Sequence, residues 1–181
     1  MLRKNKKPSR YSKMKIFSIT ALLFLHSISH ANGISNQGLC STGEISLFNC
    51  NLKSKNASLC VNEAKNRMQY RIGTEAKKDF TYPQIQKSNG YGFKLSTTPY
   101  PGGGENRIRF TNGIYSYFIY DITRSQQDTT PLDSIQKAGI VVYTNGKRIA
   151  NIKCENSETS ISSLAFEILQ REEFSYDIDT D

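Results

Sequence analysis

The sequence predicts a mainly β (α+β) domain: an antiparallel sheet or small barrel of about eight strands, tied by disulfides and finished by a C-terminal amphipathic helix. Three observations carry this expectation. Apolar and polar residues alternate at period two along much of the chain, two Asn-Gly pairs separate apolar runs, and four cysteines follow a leader-like N-terminus. The 181 residues, 37% hydrophobic and 22% charged, suit one globular domain, and no linker or tandem repeat divides them.

The leader comes first. Residues 16–28, IFSITALLFLHSI, are an apolar run preceded by Lys13 and Lys15 and followed by Ser29, His30 and Ala31. A basic end, an apolar centre and small residues before a cut are the three parts of a secretory signal peptide, expected over 1–31 with cleavage after Ala31. A membrane anchor needs about 20 apolar residues, whereas this run has 13 and is interrupted by Ser, Thr and His. The first cysteine, Cys40, is too far from the cut to be a lipoprotein attachment site. Met14 opens a complete leader by itself, so the true start is either Met1 or Met14. The expected mature chain is 32–181, periplasmic or secreted, with no stable membrane insertion.

Removing the leader changes the electrostatic reading. It holds seven of the 24 Lys and Arg and none of the 16 acidic residues, so the formal charge falls from +8 to 17 against 16, or +1. A near-neutral domain lacks the basic surface that nucleic-acid binding needs. Both histidines, His26 and His30, leave with the leader, and there is no Trp. Export implies an oxidising compartment, so Cys40, Cys50, Cys60 and Cys154 read as two disulfides. Of three connectivities the favoured one joins Cys50 to Cys60 across a hairpin turning at KSKN, leaving Cys40 for Cys154. No CxxC and no mature His means no metal site and no imidazole-activated thiol; no cofactor is expected.

The mature elements follow in order. ISLFNC and ASLCV form the first hairpin, and Met68, Tyr70 and Ile72 alternate with Gln69 and Arg71 in the next strand. Residues 74–90 read as a polar loop. Tyr91, Phe93 and Leu95 lead into PYPGGGENR, after which Ile108 and Phe110 alternate with Arg107 and Arg109. Asn112-Gly113 turns the chain into Ile114–Ile122, apolar or aromatic on both faces and therefore central in the sheet. Residues 123–138 read as a second polar loop. Asn145-Gly146 turns GIVVY into the basic KRIANIK strand, expected at an edge. Ile161, Leu164, Ala165, Ile168 and Leu169 then recur at helical spacing, with Thr159 or Ser160 as cap and Glu167, Arg171, Glu172 and Glu173 in water. The acidic tail SYDIDTD is expected to fray. Asn56-Ala57-Ser58 matches a glycosylation sequon, which has meaning only in a eukaryotic secretory pathway.

CxxxExxLFxCxxxxKxxSLC, the QYRIG strand, GGGE before RFTNG and the late GKxxAxIxC together resemble small exported, uncharacterised proteins of Gram-negative bacteria, over about residues 40–156. That resemblance implies export and cysteine pairing and supplies no site residues. In style the domain is similar to periplasmic lysozyme inhibitors and to immunity proteins that neutralise toxins.

Candidate functional residues fall in two groups. Tyr100, Gly102, Gly103, Gly104, Glu105 and Arg107 belong to a Pro- and Gly-rich stretch that reads either as a presenting loop or as a hairpin connection. GGGEN lacks the Lys-Ser/Thr of a phosphate cradle and enters a strand rather than a helix. Tyr115 and Tyr117 share one strand face, Tyr120 lies on the other, and Tyr82, Tyr91 and Tyr143 complete the set; tyrosine suits interfaces and cores alike. For catalysis only carboxylates such as Glu44, Glu105 and Asp121 remain, and the sequence does not bring a pair together. The expectation is therefore binding: holding or inhibiting another envelope or secreted protein such as a hydrolase or toxin. An envelope enzyme acting on glycan through carboxylates, or a structural accessory module, is the alternative.

Overall fold

Residues 38–84, 92–125, 134–156 and 159–180 are described by the computed structural model, all within the unit 35–181. The leader, residues 85–91 with Tyr91, and residues 126–133 lie outside them. The alternating segments become two sheets. Strands β1 (Glu44–Leu52), β2 (Lys55–Asn62), β3 (Met68–Gly73) and β4 (Lys78–Tyr82) form an antiparallel four-stranded meander. A second meander contains β5 (Lys94–Tyr100), β6 (Gly103–Asn112), β7 (Tyr115–Ser125), β8 (Ser134–Thr144) and β9 (Lys147–Lys153). The short helix α1 (Ser163–Ile168) precedes β10 (Gln170–Arg171), which pairs in parallel with β5 and makes this sheet six-stranded.

Period-two alternation places Leu59, Met68 and Tyr70 of the small sheet against Leu95, Ile108, Phe110, Ile119 and Ile140 of the large one. Each such buried side chain contributes roughly 1.5–3 kcal/mol of transfer free energy. Tyr82 stacks on Phe110 at 4.7 Å and Phe80 on Tyr117 at 5.5 Å. Phe110 and Tyr117 are direct cross-strand partners. Two residues along β4 therefore contact two neighbouring strands of the large sheet. The fold is a mainly β pair of sheets, not a closed barrel.

β7 lies inside the six-stranded sheet and is buried on both faces, with Ile119 inward and Phe118, Tyr120 and Ile122 in a second cluster on the outer face. KRIANIK is at the edge. Both outcomes match what the apolar and basic runs predict. The edge at β1 is covered: its Leu47, Asn49 and Asn51 carbonyls accept from the Ser162 N–H (2.8 Å), the Thr159 hydroxyl (3.3 Å) and the Glu155 N–H (2.9 Å). This covering corrects the helix reading. Thr159 and Ser162 are committed to β1, so the helix starts later and Ser162, not Thr159 or Ser160, accepts from the Leu164 N–H. Ile161, Ala165 and Leu169 are buried as the stripe required.

Other readings are corrected by register. The first hairpin turns on Lys53-Ser54 alone, which sets Cys50 opposite Ala57 and Cys60 opposite Ser46. Cys50 thus faces the core and Cys60 the outer face, so they cannot pair. The disulfides are Cys40–Cys60 and Cys50–Cys154, the second joining β1 to the end of β9. Asn145-Gly146 is the two-residue turn expected, with both residues at positive φ (48° and 74°). At the other pair, Asn112 is still paired with Tyr115, so the turn is Gly113-Ile114 and the isoleucine sits at the apex. Both supposed polar loops contain strand: β4 lies within 74–90, and β7 and β8 extend into 123–138. KDFTY at an edge and the polar ends of β7 and β8 carry little apolar signal because little there is buried.

Candidate functional site

PYPGGGENR is a tight hairpin, with Tyr100 opposite Gly103 and Pro101-Gly102 as its turn. Gly102 has φ +77°, which a side chain rarely adopts, and its carbonyl accepts from the Ser125 N–H (2.7 Å) and hydroxyl (2.8 Å). A Cβ on Gly103 would lie 1.8 Å from the Thr123 carbonyl oxygen, so β6 and β7 close only around glycine. Gly104 offers its carbonyl to the Tyr100 hydroxyl at 2.9 Å, and the Arg124 guanidinium lies over the Tyr100 ring. The glycines are explained by the close approach of backbones.

Glu105 and Arg107 do not project from this hairpin. Cross-strand pairing with Ile122 and Tyr120 puts them on the outer face of the six-stranded sheet, where they are 7% and 4% exposed. They bind each other, Arg107 Nε to Glu105 Oε1 at 2.6 Å. What buries them is the C-terminal segment, which the composition had marked as frayed. Arg107 donates through Nη1 to the Ser175 carbonyl (2.7 Å) and through Nη2 to the Ile178 carbonyl (2.8 Å), with its guanidinium 4.0 Å over the Phe174 ring. The Thr180 hydroxyl donates to Glu105 Oε1 at 2.7 Å. The Tyr143 hydroxyl accepts the Asp179 N–H (2.8 Å) and donates to its carbonyl (3.2 Å). Arg148 binds the Asp179 carboxylate at 2.9 Å. Ile178 and Tyr100 pack on the cluster of Phe118, Tyr120, Ile122, Val141 and Tyr143. Glu172, expected in water, holds Arg109 through both carboxylate oxygens (2.9 and 3.0 Å) and keeps that guanidinium charged more firmly than usual.

Three of the residues named from the sequence, Tyr100, Glu105 and Arg107, thus converge on one outer-face groove. Tyr115 and Tyr117 do not join them. They lie toward the other end of β7, from about 10 Å (Tyr117 to the register of Arg107) to about 30 Å (Tyr115 to the register of Tyr100) away at strand rise, and face the other side of the sheet. Tyr117 stacks between Phe110 (4.6 Å) and Phe80 (5.5 Å), and burial, with the neighbouring Tyr115, raises its pKa. Beyond it the surface opens. Ile114 is 66% and Tyr115 40% exposed at the hairpin apex, and Tyr115 pairs with Thr144, which adjoins the Asn145-Gly146 turn. Two hairpin tips therefore stand side by side. The sequence reading does not single out Ile114; a β-branched apolar residue directly after a turn glycine is the signal that marks its exposure.

The three candidate carboxylates are dispersed. Glu44 accepts from Arg71 on the small sheet (Oε1 to Nη2, 2.8 Å); burial alone would raise its pKa, but the hydrogen bonds from Arg71 and the Ser41 N–H outweigh it and hold the carboxyl below its ordinary value. Asp121, between the sheets, accepts from the Asn106 amide (2.7 Å) and the Ile161 N–H (2.6 Å), yet burial still raises its pKa. Glu105 lies on the opposite sheet face from Asp121. Among the described residues no cluster of three or more His, Cys, Asp or Glu could hold a metal ion, and no helix is long and apolar enough to cross a membrane. A cleft of about 330 Å³ beside Leu52, Lys53, Lys55 and Ile152 contains none of the residues named from the sequence. The chain matches no known protein family, no curated protein and no solved structure.

Proposed function

We propose that this is an exported, disulfide-tied binding protein that holds or inhibits another envelope or secreted protein, a hydrolase or a toxin, through the paired hairpin tips at the Ile114 end. The observation that carries this reading is Ile114 itself, 66% exposed at the apex of a two-residue turn and followed by the half-exposed Tyr115. An apolar residue on a rigid apex loses little conformational freedom when it enters a partner's cleft, and tyrosine beside it adds area with a polar tip. Behind the apex the stacked rings of Phe80, Phe110 and Tyr117 resist its displacement. Export rests on the leader read at 1–31, and two disulfides suit an oxidising compartment.

Oxidised mature protein used as bait against envelope extracts tests the reading, with Ile114→Asp and Tyr115→Ala as paired baits. One protein captured by the native chain at 1:1, with at least tenfold weaker binding to Ile114→Asp and unchanged thermal unfolding, is the expected result. A partner bound equally by all three baits, or no saturable partner, overturns it. N-terminal sequencing of the exported chain should begin at Asn32; an intact leader retained on membranes refutes export.

A further inference from the structure

The groove on the outer face of the six-stranded sheet carries an inference independent of the hairpin tips. After β10 the Glu172 N–H still donates to the Leu95 carbonyl (2.9 Å), but 173–180 makes no ladder pairing: it crosses the outer face between β5 and β9 and is held by side chains of the sheet. Most of those bonds read main-chain atoms. Arg107 takes two carbonyls, Ser175 and Ile178, and Tyr143 takes both the N–H and the carbonyl of Asp179. Side chains of the segment add selectivity: Phe174 under the Arg107 guanidinium, the Tyr176 hydroxyl on that of Thr98, Ile178 on the apolar cluster, the Asp179 carboxylate on Arg148, and the Thr180 hydroxyl on Glu105.

The polar pair on this face is self-contained within the sheet. Glu105 and Arg107 neutralise each other through Oε1 and Nε, which leaves both Nη groups of Arg107 free to bind carbonyls. Tyr143 is fixed edge-to-face on Phe118 at 5.9 Å. Departure of 174–180 would leave the Arg107–Glu105 pair intact and open only the half-exposed Arg148–Asp179 pair, whereas departure of a core strand would break a ladder. This is the layout of a preorganised peptide site. We propose that the outer face is a recognition groove for an extended acidic peptide bearing an aliphatic–Asp–Thr triplet, with the chain's own C-terminus as resident occupant and a partner's peptide entering by displacing it. A tethered occupant acts at an effective concentration of about millimolar, so the competitor must exceed that or the tail must be loosened.

The test uses the full oxidised chain and a fluorescein-labelled synthetic peptide of the sequence FSYDIDTD. In a full-chain variant carrying Ile178→Ser and Thr180→Ala, amide exchange at 174–180 should show the tail released, and the peptide should bind saturably at least tenfold tighter than to the native chain. Adding Tyr143→Phe to that variant should weaken binding several-fold, as should Asp179→Asn in the peptide. A released tail with no saturable peptide binding, or binding indifferent to Tyr143→Phe, overturns the assignment. So does a tail that stays protected even with Ile178→Asp, which would make it a fixed part of the fold. A dimer in light scattering that exchanges tails and is not dissolved by the peptide would assign the groove to a second copy and refute the partner reading.

Discussion

The two ends of the described chain cover the outer faces of the two sheets, and each is gripped by an arginine. On the small sheet Arg71 binds the Leu39 carbonyl (3.0 Å), while its Nε is held by Gln69 two residues earlier and its Nη2 by Glu44. On the large sheet Arg107 binds the Ser175 and Ile178 carbonyls while its Nε is held by Glu105, again two residues earlier. Two residues apart on a strand means the same face, so both arginines are locked by a neighbour and left with guanidinium N–H groups to offer a crossing backbone. The straps differ in one respect. The N-terminal one is also covalent, through Cys40–Cys60, and Gly38 lies so close to the sheet that a Cβ would stand 1.7 Å from Asn49 Oδ1. The C-terminal one has no disulfide. The same polar clamp therefore sits beside a permanent strap and a releasable one, and the disulfide makes the difference.

The largest loss is expected outside both straps. Replacing Cys50 and Cys154 by Ala opens a loop with a sequence separation of 104 and should cost about 5 kcal/mol in denaturant unfolding, measured against the native oxidised chain. Arg107→Ala comes next: it leaves the buried Glu105 without its cation and should cost roughly 3–5 kcal/mol, with amide exchange at 174–180 rising to that of free chain. Arg71→Ala should cost a similar amount while residues 38–43 stay protected, because Cys40–Cys60 still holds them. Loss of protection there would show that Arg71, and not the disulfide, holds the N-terminal strap. Removing Cys40–Cys60, with a separation of 20, should cost about 3 kcal/mol by the same chain-entropy reasoning and loosen the N-terminal strap without releasing it, since Arg71 and the bond from the Leu39 N–H to Ser58 remain.

Acid titration sharpens the contrast by its sign. Glu44 has a depressed folded pKa, so its contribution is present above the unfolded value and is lost as pH falls through the folded one. Asp121 is raised by burial, so its folded form prefers the proton and its contribution falls as pH rises from the unfolded to the folded value. Glu44→Gln should flatten the acid loss of stability, whereas Asp121→Asn should steepen it by removing the opposing gain; urea midpoints between pH 3 and 7 read both. The smallest effect is expected for Thr180→Val, which removes one hydrogen bond to Glu105 for about 1 kcal/mol, with tail exchange accelerated and strap 38–43 unmoved.

Much of this fold is legible residue by residue. The double-sided apolar run of β7 requires a central strand, the lysine-flanked KRIANIK suits an edge, and Ile161, Ala165 and Leu169 mark a packed stripe. The candidate site is legible only in part. Glu105 and Arg107 stand out in sequence for their place beside three glycines, but their burial depends on a segment about 70 residues away, and nothing local in SYDIDTD shows that a sheet face awaits it. Composition described that tail as solvated because its carboxylates have no partners nearby in sequence.

Local sequence sets the alternation that builds the strands, the turn glycines at Gly102 and Asn145-Gly146, and an even cysteine count that suits two disulfides. These follow from local physics: period two, positive φ and redox chemistry act within a few residues. Which cysteines pair is set by packing across the chain, because a two-residue turn at Lys53-Ser54 fixes the register and sends Cys50 and Cys60 to opposite faces. The same packing decides that the helix shortens to cover the edge of β1, and that Arg107 grips the C-terminus instead of meeting solvent. Those outcomes depend on which distant backbone groups lie unsatisfied beside a given side chain, and distance in sequence carries no record of that.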